Sequence, residues 1–155
     1  MMITETAKLC FFLYGNVVKK YLIPLCFVFF LTLCKKTQDQ VPNVSVDFYI
    51  YLSQPDYASL NIIGNWKYVT GGYKGIIVYH ESNDIFVAYD RACPYDPTTT
   101  GAIVDVDSSG LALVDYHCGS KFNILNGAVD NGPASKPLKQ YAADYDGVSI
   151  IHVHN

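Results

Sequence analysis

At 155 residues the chain has room for one domain of ordinary size. Half of it is apolar, with 13 tyrosines and 8 phenylalanines, as suits a packed β-rich core, and its formal net charge is -3. No basic patch interleaved with aromatics occurs, which argues against a nucleic-acid partner, and nothing in the balance suits a polyanion or a large acidic substrate.

The N-terminal part is a different kind of sequence. Lys19-Lys20 precede an apolar run over 21–33, which ends at Cys34-Lys35-Lys36. A positive segment followed by a short apolar core reads as an export signal, and the run is short for a membrane span. Leu31-Thr32-Leu33-Cys34 resembles a bacterial lipobox, whose cysteine is acylated and becomes the mature N-terminus; Leu33 departs from the small residue usual there. Residues 1–34 are therefore expected to be a leader with lipidation at Cys34. The folded part is then expected in the cell envelope, periplasmic or at the outer membrane, held to the membrane by its anchor. An uncleaved anchor helix is the alternative. Residues 35–43 carry no hydrophobic period and read as a flexible tether.

From residue 44 to 155 the pattern is strands and turns. Val44, Val46, Phe48, Ile50 and Leu52 alternate on one face, with Tyr49 and Tyr51 on the other. Further strands are expected at 59–63, 66–70, 75–79, 85–90, 102–105, 111–115, 138–144 and 148–152. Turn signals separate them, among them Thr70-Gly71-Gly72, Asp107-Ser108-Ser109-Gly110 and Tyr145-Asp146-Gly147. Asn126-Gly127 sits between short apolar segments and favours positive φ, as a tight hairpin does. No amphipathic helical window of useful length appears. Short strands at close spacing predict an all-β sandwich or barrel.

Two segments carry the chemistry. The first is Arg91-Ala92-Cys93-Pro94-Tyr95. The second is Asp115-Tyr116-His117-Cys118-Gly119-Ser120-Lys121-Phe122, followed by Gly132-Pro133-Ala134. Together they resemble the two cluster-binding loops and the proline loop of a Rieske-type [2Fe–2S] domain, clearest from Phe86 to Val148. The resemblance implies an antiparallel β-sandwich in which one iron takes two cysteines and the other two histidines, one of each from each loop. It also implies electron transfer, alone or as a subunit of an oxidoreductase. In that pattern the ligand positions are Cys93, Tyr95, Asp115 and Cys118. Tyrosine stands in place of the first-loop histidine, aspartate in place of the second-loop cysteine, and cysteine in place of the second-loop histidine. Ser120 takes the place of a serine that bonds a bridging sulfide, and Gly132 and Pro133 that of the loop covering the cluster.

Three states of this altered site follow. A [2Fe–2S] cluster would lean on Cys93 and Cys118, with Asp115 or His117 added, and its potential would fall with the loss of imidazole ligands. A disulfide between Cys93 and Cys118 is the expected state of two cysteines in an oxidising compartment. The resemblance supports it, because family members often carry an extra bridge between these loops. A mononuclear metal site from Cys93, Cys118, His117 and Asp115 suits zinc by residue type, without zinc-motif spacing. The favoured reading is a cluster-free or atypical binding or structural module without catalytic activity of its own and with an unknown protein partner.

Other residues read more plainly. His152 and His154 share a face of the last strand as exposed terminal histidines, and His80 reads as a surface residue. Tyr49, Tyr51, Tyr57 and Tyr73 are candidates for a contact patch or for ordinary sheet covering. No nucleophile–base pairing suggests a hydrolase.

Overall fold

The structure, a computed structural model, describes residues 40–155. The expected leader and the lipidated Cys34 lie outside the described residues. Of the expected tether, Pro42 and Asn43 are tied down, since Lys139 Nζ donates to the Pro42 carbonyl at 3.3 Å and to Asn43 Oδ1 at 3.0 Å. Among the described residues no helix is long and apolar enough to cross a membrane.

Among the described residues ten strands form two antiparallel sheets, so the all-β expectation holds. In chain order they are β1 (Asp47–Tyr51), β2 (Trp66–Val69), β3 (Ile76–Ser82), β4 (Ile85–Asp90), β5 (Val104–Val106), β6 (Ala112–Asp115), β7 (Lys121–Asn123), β8 (Val129–Asn131), β9 (Gln140–Tyr145) and β10 (Ile150–His154). The larger sheet runs β1-β10-β9-β4-β3-β2 and the smaller β5-β6-β7-β8. A 3-10 helix, Pro55–Asn61, joins β1 to β2.

The period-2 geometry of strands explains why β3 and β4 read as nearly continuous apolar runs. Ile77, Tyr79, Val87 and Tyr89 point into a core shared with the smaller sheet, where they meet Val104, Leu113 and Phe122. Their neighbours Ile76, Val78, Phe86 and Ala88 point the other way, against Ile50, Ile151 and Val153 from the far end of the larger sheet. Both faces of these strands are covered, so neither needs polar residues. The smaller sheet rides on the first core, and its loops carry the candidate site.

Four expectations need correction. Residues 59–63 form no strand: Pro55 presets the first turn of the 3-10 helix. Of that segment Leu60 alone is buried, while Ile62 and Ile63 are exposed. Strands β7 and β8, three residues each, were not expected, because so short a run shows no period. Tyr57 packs partly buried against the second core, leaving Tyr49, Tyr51 and Tyr73 as the exposed tyrosines of the suggested patch.

His80 is the fourth correction. It lies buried on β3, stacked on Phe86 with ring centroids 4.2 Å apart, and neither ring nitrogen has a hydrogen-bond partner. A turn beside it suggested the surface, but the sheet continues past it. Substituting an apolar side chain of similar volume removes an unmatched polar group. We therefore expect His80→Leu to raise the unfolding free energy by about 1 kcal/mol in a denaturant titration. A loss of that size would show that the imidazole is bonded in solution.

Candidate functional site

The first cysteine loop leaves β4 at Asp90, whose fully buried carboxylate fixes the loop's origin. Its Oδ1 accepts from the backbone N–H of Ala92 at 2.8 Å and of Lys74 at 3.2 Å. Its Oδ2 accepts from the Tyr73 N–H at 2.6 Å and from the Tyr141 hydroxyl at 2.8 Å. Burial, then the bond to Asp90, pushes the Tyr141 phenol up, so it remains a donor. Gly72 belongs to the same cradle: its φ is +63° and a Cβ there would lie 2.5 Å from Asp90 Oδ2. Arg91 next secures the loop's return, donating from Nε to the Val104 carbonyl at 3.0 Å and pairing with Asp105. The Cys93 N–H reaches the Ala102 carbonyl at 3.4 Å, which leaves the thiol fully buried against the first core.

The second loop is the β6–β7 turn. The Gly119 N–H bonds the Asp115 carbonyl at 2.8 Å with Gly119 at φ +81°, and the Asp115 N–H bonds the Ser120 carbonyl at 2.9 Å. The buried Asp115 side chain organises the tip: Oδ1 accepts the His117 N–H at 2.8 Å and Oδ2 accepts the Cys118 thiol at 3.2 Å. Cys118 Sγ also lies 3.0 Å from Ser120 Oγ, which accepts the Ala134 N–H at 2.9 Å. The serine therefore ties the second loop to the Gly132-Pro133-Ala134 loop, whose Gly132-Pro133 bond is cis. The Asn126-Gly127 turn has the positive φ expected of it, at +66°.

The two loops meet through sulfur. Cys93 Sγ and Cys118 Sγ are 3.6 Å apart, and both residues are free thiols. Burial, then hydrogen bonding to Asp115, pushes the Cys93 thiol up. It is therefore a poor nucleophile on its own, and the half-buried Cys118 is the member a reagent meets first. Lys74 stands nearby, donating from Nζ to the carbonyls of Thr99 and Ala102, the latter at 3.0 Å. Burial lowers its ammonium pKa, while Asp115, Cys93 and Asp90 act in the opposite direction.

Of the expected site residues, Cys93, Asp115 and Cys118 come together, with donor atoms within 4.8 Å of one another. Tyr95 is partly buried against the first core. His117 is exposed and lies over Gly101, where a Cβ would sit 3.1 Å from its Nδ1; it does not belong to that donor group. Asp90 and Lys74 carried no signal in the sequence, because their partners come from segments distant along the chain.

The two sulfurs lie too close together to hold a two-iron cluster in the arrangement of the pattern the loops resemble. In the pattern the loops resemble, Cys93 and Cys118 occupy ligand positions on different irons, so the cluster would lie between them. Sulfurs in contact leave no space there. A separation of 3.6 Å instead approaches the edge of a tetrahedral single-metal site, about 3.8 Å for metal–sulfur bonds near 2.3 Å. It also lies within easy closure to the roughly 2.05 Å of a disulfide.

No family model matches the sequence, and no curated protein matches it. A chain in the solved complex of reduced oxygenase and oxidised ferredoxin in carbazole 1,9a-dioxygenase is similar at 18% identity. The match covers 75% of this chain and 94% of that one, with a TM-score of 0.44.

Proposed function

We propose that this is an exported, lipid-anchored protein whose folded part is a Rieske-like domain acting as a binding or structural module at the membrane surface. Cys93 and Cys118 serve as a disulfide-forming pair in place of a two-iron centre. The observation that supports this most is the 3.6 Å contact between the two sulfurs, drawn from separate loops. Oxidation proceeds by exchange with a disulfide-bearing donor. Cys118 attacks the donor and releases one thiol; Cys93 then attacks the mixed disulfide and releases the second. Two protons and two electrons pass to the donor, and the two loops become one covalent unit. The partner is a protein, for which the exposed Tyr49, Tyr51 and Tyr73 offer aromatic contact area.

A second reading, electron transfer through an atypical [2Fe–2S] centre, is favoured by the bond from Ala134 to Ser120. That bond holds the proline loop against the second cysteine loop, as a cluster cover would need. Iron and acid-labile sulfide analysis, with a visible spectrum, separates the two readings on residues 35–155 produced with active cluster assembly and purified without oxygen. The expected product is colourless, folded and iron-free. About two irons and two sulfides per chain would overturn the module reading and establish the redox one.

A further inference from the structure

The outer face of the larger sheet carries a second cluster of ligating side chains, remote in sequence from both cysteine loops. His152 and His154 alternate on β10 and so emerge on the same face. Asp144 lies directly opposite His152 on β9, and Asp47 directly opposite His154 on β1. The side chains pair diagonally instead: His154 Nε2 is 2.8 Å from Asp144 Oδ2, and His152 Nε2 is 2.7 Å from Asp47 Oδ1. The two imidazoles lie side by side, 4.5 Å between centroids. Tyr49 also stacks on His152, at 4.3 Å and 10°, which fixes that ring.

We propose that His152, His154 and Asp144 form a binding site for a divalent transition metal of the zinc class, with Asp47 as the carboxylate that orients His152. Donor atoms of the three ligands already lie within 4.8 Å of one another. Metal–nitrogen and metal–oxygen bonds of 2.0–2.2 Å place neighbouring ligands about 2.9 to 3.4 Å apart, depending on geometry. The observed His154–Asp144 pair is close to the lower spacing, so an ion can replace the proton that pair shares with only small side-chain rotations, while His152 keeps its Nε2 bond to Asp47 and offers Nδ1. Two histidines and one carboxylate are a donor set suited to zinc and its neighbours in the transition series, and unsuited to calcium or magnesium, which require oxygen.

Preorganisation supports the same assignment. Both histidines sit on a paired strand, not on a loop, and His152 is held by a carboxylate outside the donor group, the arrangement that sets the ring orientation of metal-bound imidazoles. Their side chains are about one-third exposed, at 30% and 32%, so an ion reaches them without unfolding. Asp144 and His152 also line a groove of roughly 390 Å³ walled by Tyr49, Tyr51 and Tyr145. Coordination positions not filled by the protein therefore face an aromatic cleft, open to water or a small ligand.

The site is independent of the reading given to the cysteine loops, and its test keeps the two apart. The full chain, purified without a histidine tag, is titrated calorimetrically with zinc chloride at pH 7.5. A parallel titration uses Cys93→Ser/Cys118→Ser, and a third uses His152→Asn/His154→Asn. We expect the serine variant to retain one zinc equivalent that the histidine variant lacks, with affinity lowered at least about 100-fold in the latter. Asp144→Asn, which keeps the side-chain shape, is expected to weaken the same event about 10-fold. Near-ultraviolet circular dichroism of each variant guards against a loss of fold. Zinc binding that survives when the histidine and serine substitutions are combined, or that disappears with the cysteines alone, overturns the assignment, as does the absence of any binding to the wild-type chain.

Discussion

Asp90→Ala is expected to lower the unfolding free energy by about 4 kcal/mol, since it removes a buried charge that its surroundings were built to bond. The substitution leaves the N–H groups of Tyr73, Lys74 and Ala92 and the hydroxyl of Tyr141 without their acceptor. At about 4 °C per kcal/mol for a domain of this size, the melting temperature should fall by about 15 °C. Asp90→Asn should lose about half as much: its amide oxygen still accepts on one side, while its NH₂ meets donors on the other. A local consequence follows. Ala92 immediately precedes Cys93, so releasing its N–H loosens the loop that buries the thiol. Alkylation of Cys93 under native conditions should accordingly accelerate well beyond that of the wild type. A stability within 1 kcal/mol of wild type would show that water replaces the carboxylate and that Asp90 does not organise the loop.

The second large effect concerns the cysteine pair. Oxidised protein should be two hydrogens lighter per chain and more stable than its reduced form by about 3 kcal/mol. That value comes from the chain-entropy estimate for a crosslink between residues 25 positions apart. The corresponding change in melting temperature is about 10 °C. Under reducing conditions the two single variants should separate. Both serines keep Asp115 within reach, but Cys118→Ser places its hydroxyl in a half-buried position beside Ser120, whereas Cys93→Ser places one in a fully buried position packed against the first core. Cys93→Ser is therefore the more damaging, by about 1 kcal/mol or more. Identical melting temperatures with and without reductant, and an unchanged mass, would remove the bridge from the account of this site. A bridge would also close the donor group of Cys93, Asp115 and Cys118 to metals, since a disulfide sulfur is no longer a thiolate ligand. Metal binding at the cysteine loops and the gain in stability on oxidation are thus mutually exclusive readouts of one pair of atoms.

The exposed outer sheet face and the buried loop site differ in what charge can do. His154, bonded to Asp144 and then to its neighbour's carbonyl, has its pKa raised above 6.5. Its contribution is present below the unfolded-state value and disappears as pH rises through the raised folded-state value. At the surface such a contribution is small and screened by salt. At the buried Cys93 solvent is excluded, and the same kinds of contact govern whether the thiol reacts at all.

How much of this was legible beforehand can be argued from single residues. Val46, Ile50 and Leu52 showed their burial because alternation along one strand is a local property of sequence. Gly127 announced its turn because positive φ is a property of the residue itself. Cys93, Asp115 and Cys118 were singled out through the order of residues in two short loops, and the fold does bring them together. Asp90, read only as the last residue of a strand, acquires its role from Tyr73 and Tyr141, which lie on either side of it far along the chain. His80 looked like a surface residue next to a turn until the second core was packed over it. His117 looked like a ligand beside Cys118, yet it is exposed and lies over Gly101. The sequence by itself determined the strand-forming pattern and which donor types stand in the two loops, because period and residue chemistry are local. Only the tertiary structure decided that two sulfurs 25 residues apart touch, and that histidines and aspartates from three strands converge on one face. Those distances depend on sheet register and loop path, which are fixed by packing between segments that carry no record of one another in their order along the chain.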